Sequence, residues 1–377
     1  MFAAKKKILC LVGTRPECIK MAPVINELKR QNWADTVVVS TGQHRELVRQ
    51  IMDLFSIKID YDLDVMEANQ TLAGLSSKIF LKIDPLLTAQ KFDLILVQGD
   101  TTSVMVAALA SFYRRIPVGH VEAGLRTHDI HRPFPEELNR VVTSLVSGIH
   151  FAPTELARAN LLREKVPEQS VHVTGNTVVD ALLDVSRRNL PCAYPTRPDW
   201  RLILVTAHRR ENFGEPIRSI CRAVQDLHRQ FPDVEFVYPV HPNPNIREAV
   251  HEELGGVERV YLIPPADYQD LVMLMKSSTL ILTDSGGIQE EAPALGKPVL
   301  VLRDETERPE AVETGVARLV GSDRATIVRE ATKLLTDPDE YRQMARRGSP
   351  YGDGLAARRI IELCREFLKV ELASVRE

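Results

Sequence analysis

Along this chain carboxylates and cations stand where apolar runs end, and that placement points to chemistry. Asp100 closes the run LILVQGD, and Glu122 follows the apolar PVGHV. Ionisable groups that end buried strands seldom serve packing, so both are candidates for acid–base work. Carboxylates grouped in a closed site raise one another's pKa and can divide the roles of acid and base. Glu136 and Glu137 open a helical pattern after RPFP, with Pro135 near the first helical position. Glu136 stands four residues before Arg140, a spacing that allows an ion pair on one helix face. On sequence alone, a helix-capping carboxylate is the simpler reading of Glu136.

A second set of residues suits an anion. In LILTDSGGIQEEAPALGKPVLVL, 280–302, an apolar run ends in Asp284-Ser285-Gly286-Gly287, and a helical pattern with Glu290 and Glu291 follows. A strand exit, two glycines and a helix start present unpaired N–H groups and the positive end of a helix dipole. A nucleotide diphosphate fits there, with Glu290 or Glu291 accepting from ribose hydroxyls; an ordinary turn with a charged first helical turn fits equally. LCLVGTRPECIK ends another run at Gly13-Thr14-Arg15 and carries Lys20 into the next helix. Arg15 can grip a phosphate bidentately, whereas a solvated helix charge also explains Lys20. His208 in TAHRRENFG and His241 in YPVHPNP end two further runs. A lone histidine is most often structural, but His-Arg-Arg at a strand exit fits an anionic leaving group. No GxGxxG follows the first strand, which argues against a dinucleotide cofactor. There is no HExxH or clustered His/Cys spacing, so no protein-held metal is expected.

The elements that must carry these residues alternate. KILCLVG, DTVVVST, FDLILVQGD, IPVGHVE, GIHFAPT and SVHVTGN read as strands in the first half. RLILVTAHR, EFVYPVH, RVYLIPP, LILTDSG and KPVLVLR do so in the second, with helical patterns between. Nearly continuous apolar strands separated by helices indicate parallel sheets covered on both faces. The proline-containing stretch 189–200, NLPCAYPTRPDW, fits an interdomain connection. The expectation is α/β: two doubly wound Rossmann-like domains, 1–175 and 176–354, facing a central cleft, with ligands at the carboxyl ends of the strands. The helical pattern at 355–377 is expected to pack back on the first domain.

Composition narrows the function classes. The 377 residues carry 48 Lys and Arg against 51 Asp and Glu, a formal net charge of −3, which gives no reason to expect nucleic acid. The five cysteines show no metal-ligand spacing and read as free thiols of a reducing cytoplasm. The run ILCLVG is too short for a signal or membrane span, so a cytoplasmic, membrane-free protein is expected.

Several stretches taken together resemble a known family. GTRPE at 13–17, QGDTTS at 98–103, GHVEAGLRT at 119–127, PFPEELNR at 133–140 and TGNTVVDAL at 174–182 occur in that order. TAHRREN at 206–212, DSGGIQEEAPALGKPVLVLRDETERPE at 284–310 and SPYGDG at 349–354 follow. The chain thereby resembles the non-hydrolysing UDP-N-acetylglucosamine 2-epimerases over essentially its whole length. The longest motifs are the specific ones. The sequence departs from the common pattern at His131-Arg132, Pro242 and Glu305, none of which is a proposed ligand.

That resemblance implies a GT-B-like fold, a homodimer, a UDP-sugar substrate and no cofactor. It implies interconversion of UDP-GlcNAc and UDP-ManNAc, supplying ManNAc for bacterial surface polysaccharide. Matching positions make Arg15, Lys20, His208, Ser285, Gly286, Gly287, Glu291 and Arg308 the UDP-sugar ligands, His208 also serving the chemistry. Asp100, Glu122 and Glu136 become its carboxylates. Gln43, Gln70, Arg210 and His241 match an activating second site for UDP-GlcNAc. Three rivals remain at this point: a GT-B glycosyltransferase, a hydrolysing epimerase releasing ManNAc and UDP, and a non-catalytic nucleotide-sugar sensor.

Overall fold

A computed structural model describes residues 4–370 apart from 44, 68, 189, 195, 196, 198 and 347. The chain divides into two units. One comprises the chain through Ala181 together with the segment from Tyr351, and the other is Leu182–Pro350. The change falls inside the helix Thr177–Arg187. Of the stretch 189–200, positions 189, 195, 196 and 198 lie outside the described residues. The remainder is bonded within the second unit: the Ala193 N–H donates to Asp270 at 2.8 Å and the Arg197 N–H to Glu235 at 3.1 Å.

The first unit holds a seven-stranded parallel sheet. Its strands are β1 (Lys6–Val12), β2 (Ala34–Ser40), β3 (Tyr61–Asp62), β4 (Leu94–Gln98), β5 (Val118–Val121), β6 (Ile149–Ala152) and β7 (Val171–Val173). They lie in the order β3-β2-β1-β4-β5-β6-β7. The second unit holds β8 (Arg201–Thr206), β9 (Val234–Pro239), β10 (Val260–Ile263), β11 (Ser278–Thr283), β12 (Val299–Val301) and β13 (Ala317–Leu319). Their order is β10-β9-β8-β11-β12-β13, again parallel throughout. Ile8, Leu9, Cys10 and Val12 of β1 and Leu202 to Val205 of β8 are essentially without solvent exposure. Helices on both faces of each sheet explain why such strands read as unbroken apolar runs.

Two short edge strands, β3 and β13, were not expected. β3 is the exposed pair Tyr61-Asp62 and β13 only three residues, too short to show as apolar runs. Strand order in each sheet reverses once, between β1 and β4 in the first unit and between β8 and β11 in the second. Crossovers leave in opposite directions there, so the loops part and open a crevice at the carboxyl edge. Those are the strands whose exits carry Arg15, Asp100, His208 and Ser285. Among the described residues no helix is long and apolar enough to cross a membrane.

The helix Ala356–Phe367 is tied into the first unit. Its N-cap residue Leu355 supplies no side-chain cap. Asp180 does so from the helix Thr177–Arg187, accepting from the N–H groups of Ala357 at 2.8 Å and Ala356 at 3.2 Å. Asp180→Ala leaves both amides without that carboxylate and should cost about 1–2 kcal/mol. The thermal midpoint at pH 7.5 should then fall by roughly 2–8 °C. An unchanged midpoint would refute the cap.

Candidate functional site

Each unit presents its own group of residues at its switch point. In the first, β1 ends in Gly13, where an added Cβ would stand 2.5 Å from Thr41 Oγ1, so no larger residue fits without movement. The turn is held by Glu17, a buried carboxylate whose Oε2 accepts from the N–H of Gly13 at 2.6 Å and of Thr14 at 3.1 Å. Its Oε1 accepts from the Thr101 hydroxyl at 2.7 Å, which ties the β1 exit to the β4 exit. Arg15, half-buried, opens the helix Arg15–Lys29 at this point. Lys20 is not a solvated helix charge. Its Nζ pairs with Glu122 Oε1, and both side chains are largely buried.

Glu122 follows β5 with a φ of +63°, a left-handed conformation that costs a non-glycine residue about 1–2 kcal/mol. Around it stand Lys20 Nζ, Gln98 Nε2, and Asn176 Nδ2 at 3.1 Å, all donating to its two oxygens. Gln98 is the last residue of β4, and Asn176 immediately precedes the helix Thr177–Arg187. Asp100 gives a single oxygen, Oδ2, to Nε and Nη2 of Arg140, at 2.9 and 2.7 Å. Its carbonyl oxygen accepts from Asn139 at 2.8 Å. Arg140 also reaches Glu137 Oε2 at 3.0 Å, while Glu137 Oε1 accepts from the N–H groups of Thr127 and His128, each at 3.0 Å. Arg140 therefore does not form the i,i+4 pair that its spacing from Glu136 allows; Asp100 and Glu137 occupy its fork. Glu136 is half-buried at the start of the helix Glu136–Val146, and no hydrogen bond or ion pair of its carboxylate is found among the described residues.

In the second unit β8 and β11 are bridged by the hydroxyls of Thr206 and Thr283 at 2.6 Å. Asp284 follows β11 and is fully buried. Its Oδ2 accepts from the N–H of His208 at 2.7 Å, the N–H of Arg209 at 2.8 Å and Asn212 Nδ2 at 2.9 Å. Ser285 begins the short helix Gly286–Glu291 without a side-chain cap, so the first amides have no intrahelical acceptor and none from Ser285. An added Cβ on Gly286 would lie 3.6 Å from an Arg209 Nη and 3.9 Å from the Arg308 guanidinium, which places both cations beside this helix start.

The two glutamates of the helix Gly286–Glu291 differ. Glu290 pairs with Arg308 Nε, whereas Glu291 Oε1 accepts from the Tyr268 hydroxyl at 2.9 Å. His208 keeps 43% of its side chain exposed, with Nδ1 3.4 Å from Asp284 Oδ1. Burial lowers its pKa, as do His241 and Arg209, while Asp284 opposes them.

Of the four residues matched to a second site, Arg210 and His241 lie in the second unit beside His208. The His241 ring stacks on that of His208 at 5.5 Å, and Arg210 starts the 3₁₀ turn Arg210–Asn212. Gln43 and Gln70 belong to the first unit. Gln43 accepts from the Ser103 hydroxyl at 3.2 Å; Gln70 keeps a buried Oε1 with no hydrogen bond among the described residues. No group of three or more His, Cys, Asp or Glu able to hold a metal occurs among the described residues.

The sequence model of the family described as UDP-N-acetylglucosamine 2-epimerase matches residues 26–365. The chain belongs to that family. It is 51% identical over 366 residues to the UDP-N-acetylglucosamine 2-epimerase of Escherichia coli O157:H7, covering 94% of this chain and 97% of that one. It is 50% identical over 360 residues to the enzyme of that name from Bacillus subtilis, covering 95% and 94%. The Neisseria meningitidis UDP-GlcNAc 2-epimerase, solved with UDP-GlcNAc bound, superimposes with a TM-score of 0.86 at 48% identity, over 96% of this chain and 100% of that one. The fold is accordingly GT-B-like, two α/β units of parallel strands. A Rickettsia africae glycosyltransferase at 15% identity and a TM-score of 0.64 shares that fold alone.

Several residues that shape the two switch points are given no role by the sequence: Glu17, Gln98, Glu137 and Asn176 in the first unit, and Asn212, Tyr268 and Asp284 in the second. Gln98 and Asn176 carry a faint signal, each being a polar residue against an apolar run. Burial pushes Glu17 up to about 7; the donors from Thr101, Thr14 and Gly13 pull it down, and Asp100 adds to the rise. A folded pKa above the unfolded value of ~4.3 means that this group's stabilising contribution is complete below about pH 4 and is lost as pH rises through 7. Relative to Glu17→Gln, which cannot titrate here, the wild type should lose about 1.4 kcal/mol per pH unit between pH 5 and 7. Urea unfolding across that range measures the difference, and a constant offset would contradict the assignment.

Proposed function

We infer that the protein is a non-hydrolysing UDP-N-acetylglucosamine 2-epimerase that interconverts UDP-GlcNAc and UDP-ManNAc. The supporting observation is Glu122: a carboxylate at a strand end, held in a left-handed backbone among a lysine and two amide side chains. Asp100 stands at the exit of the adjoining strand. Such a set suits proton transfer more than packing.

The C2–H of the sugar has no adjacent carbonyl, and its direct removal is too costly. Elimination lowers the barrier: a carboxylate takes the C2 proton, those electrons form the C1–C2 double bond, and the C1–O bond breaks with its pair going to UDP. The intermediate is 2-acetamidoglucal. UDP then adds back to C1 while an acid protonates the opposite face of C2, inverting that centre. The net reaction is redox-neutral.

Asp100, Glu122 and Glu136 are proposed to share the parts of base and acid. Arg15, Lys20, His208, Arg308 and the main chain of Ser285, Gly286 and Gly287 are proposed to hold the diphosphate, and Glu291 the ribose. Lys20, drawn to Glu122, is suited to link the phosphate charge to the proton-transfer groups. The product feeds surface polysaccharide synthesis as an activated ManNAc donor.

Turnover of UDP-GlcNAc in D2O, followed by NMR, tests the reading: solvent deuterium should enter C2 of UDP-ManNAc. Free ManNAc and UDP as the only products would instead mark a hydrolysing enzyme, and untouched C2 a transferase. Asp100→Asn, Glu122→Gln and Glu136→Gln should each lower kcat by at least about 10²-fold, with substrate binding less affected. A fully active Glu136→Gln would return that residue to a purely structural part.

A homodimer is proposed alongside the activity. Leu81, Phe112, Tyr113 and Leu145 are exposed on three helices of the first unit whose neighbours pack together, and apolar surface of this kind favours association. Light scattering at micromolar concentration should give about twice the chain mass of 42.4 kDa. A monomer mass would rule the proposal out.

A further inference from the structure

The second unit contains a carboxylate that no binding role accounts for. Asp284 has no solvent exposure, and a charge removed from water is tolerated only where donors replace its hydration. Oδ2 meets that condition through the three N–H contacts from His208, Arg209 and Asn212. Oδ1 does not. It is buried, makes no hydrogen bond among the described residues, and lies 3.4 Å from Nδ1 of His208. One oxygen holds the loop, and the other faces the ring which that loop carries.

We propose that Asp284 is a positioning residue for His208, keeping a proton on Nδ1 so that Nε2 is the nitrogen offered to the ligand. The proposal rests on the reading that His208 serves departing UDP. An ionised carboxylate only accepts, so the ring nitrogen beside it is favoured in its protonated form. The remaining groups around the ring pull the other way. His241 stacks on it from the exit of β9, and Arg209 neighbours it in its own loop; both disfavour a second proton, as does burial. Asp284 is the carboxylate that favours the imidazolium. With both nitrogens protonated, Nε2–H can donate to the phosphate oxygen that receives the electron pair of the breaking C1–O bond. The proton stays on the ring, and the same contact serves when UDP returns.

The test begins without substrate. In protein labelled with ¹⁵N-histidine, with His208→Asn used for assignment, the neutral His208 ring of the wild type should be the Nδ1–H tautomer. A dominant Nε2–H tautomer would overturn the proposal. Asp284→Asn keeps an oxygen for the loop donors but turns an amide toward Nδ1. The ring should then switch tautomer and titrate about one unit lower or more, the low end of what an opposite charge at this distance exerts. The alkaline limb of kcat/KM for UDP-GlcNAc should move down in pH by the same amount. A folded Asp284→Asn protein whose His208 titration is unmoved refutes the assignment. Should that variant fail to fold, the wild-type tautomer decides alone. A wild type inert toward UDP-GlcNAc would sink the functional reading, while the ring measurements would still judge Asp284.

Discussion

A carboxylate taken out of water loses several kcal/mol of hydration unless donors take water's place. Three exits of this protein are shaped by meeting that requirement. Glu17 gathers the amides of Gly13 and Thr14, Glu137 those of Thr127 and His128, and Asp284 those of His208 and Arg209. Each buried acid faces inward to a loop and lies beside a more accessible residue: Arg15, Glu136 and His208 respectively. The inward carboxylate fixes the backbone, and the neighbour inherits a defined position. Loops that would otherwise pay conformational entropy on binding are already ordered.

The two units build similar parallel sheets but furnish their switch points differently. In the first, Lys20 is paired with Glu122, and Asp100 with Arg140, which also reaches Glu137. Such a lattice suits charge that must move between groups. In the second, the switch point ends in a helix start whose first amides lack intrahelical acceptors, with Arg209 and Arg308 beside it. That suits an anion that must be held, released and held again.

Much of this arrangement is visible in the chain because parallel strands buried on both faces read as unbroken apolar runs. Whatever interrupts a run at its end, as Asp100, Glu122 and His208 do, is conspicuous. The two-residue edge strand β3, open to solvent, escapes for the converse reason. Glu137 and Asp284 escape because their partners are amides of other loops, and an amide has no letter of its own; Glu17 binds amides only three and four positions before it. Asp284 and His208 are 76 positions apart. Arg140 shows the limit of spacing rules: a helical neighbour was available in Glu136, yet its fork went to Asp100, 40 positions away, and to Glu137. Tertiary geometry outbid local periodicity.

The division of the chain also bears on how the protein is made. The second unit is continuous, whereas the first is interrupted and recovers its closing helix only from residues beyond Tyr351. The contact of Asp180 with Ala357 spans 177 positions, and long closures of this kind form slowly. Translation supplies every residue of the second unit before the amides that Asp180 caps. Until that helix docks, the first unit leaves uncovered the surface that Ile360, Ile361 and Cys364 bury.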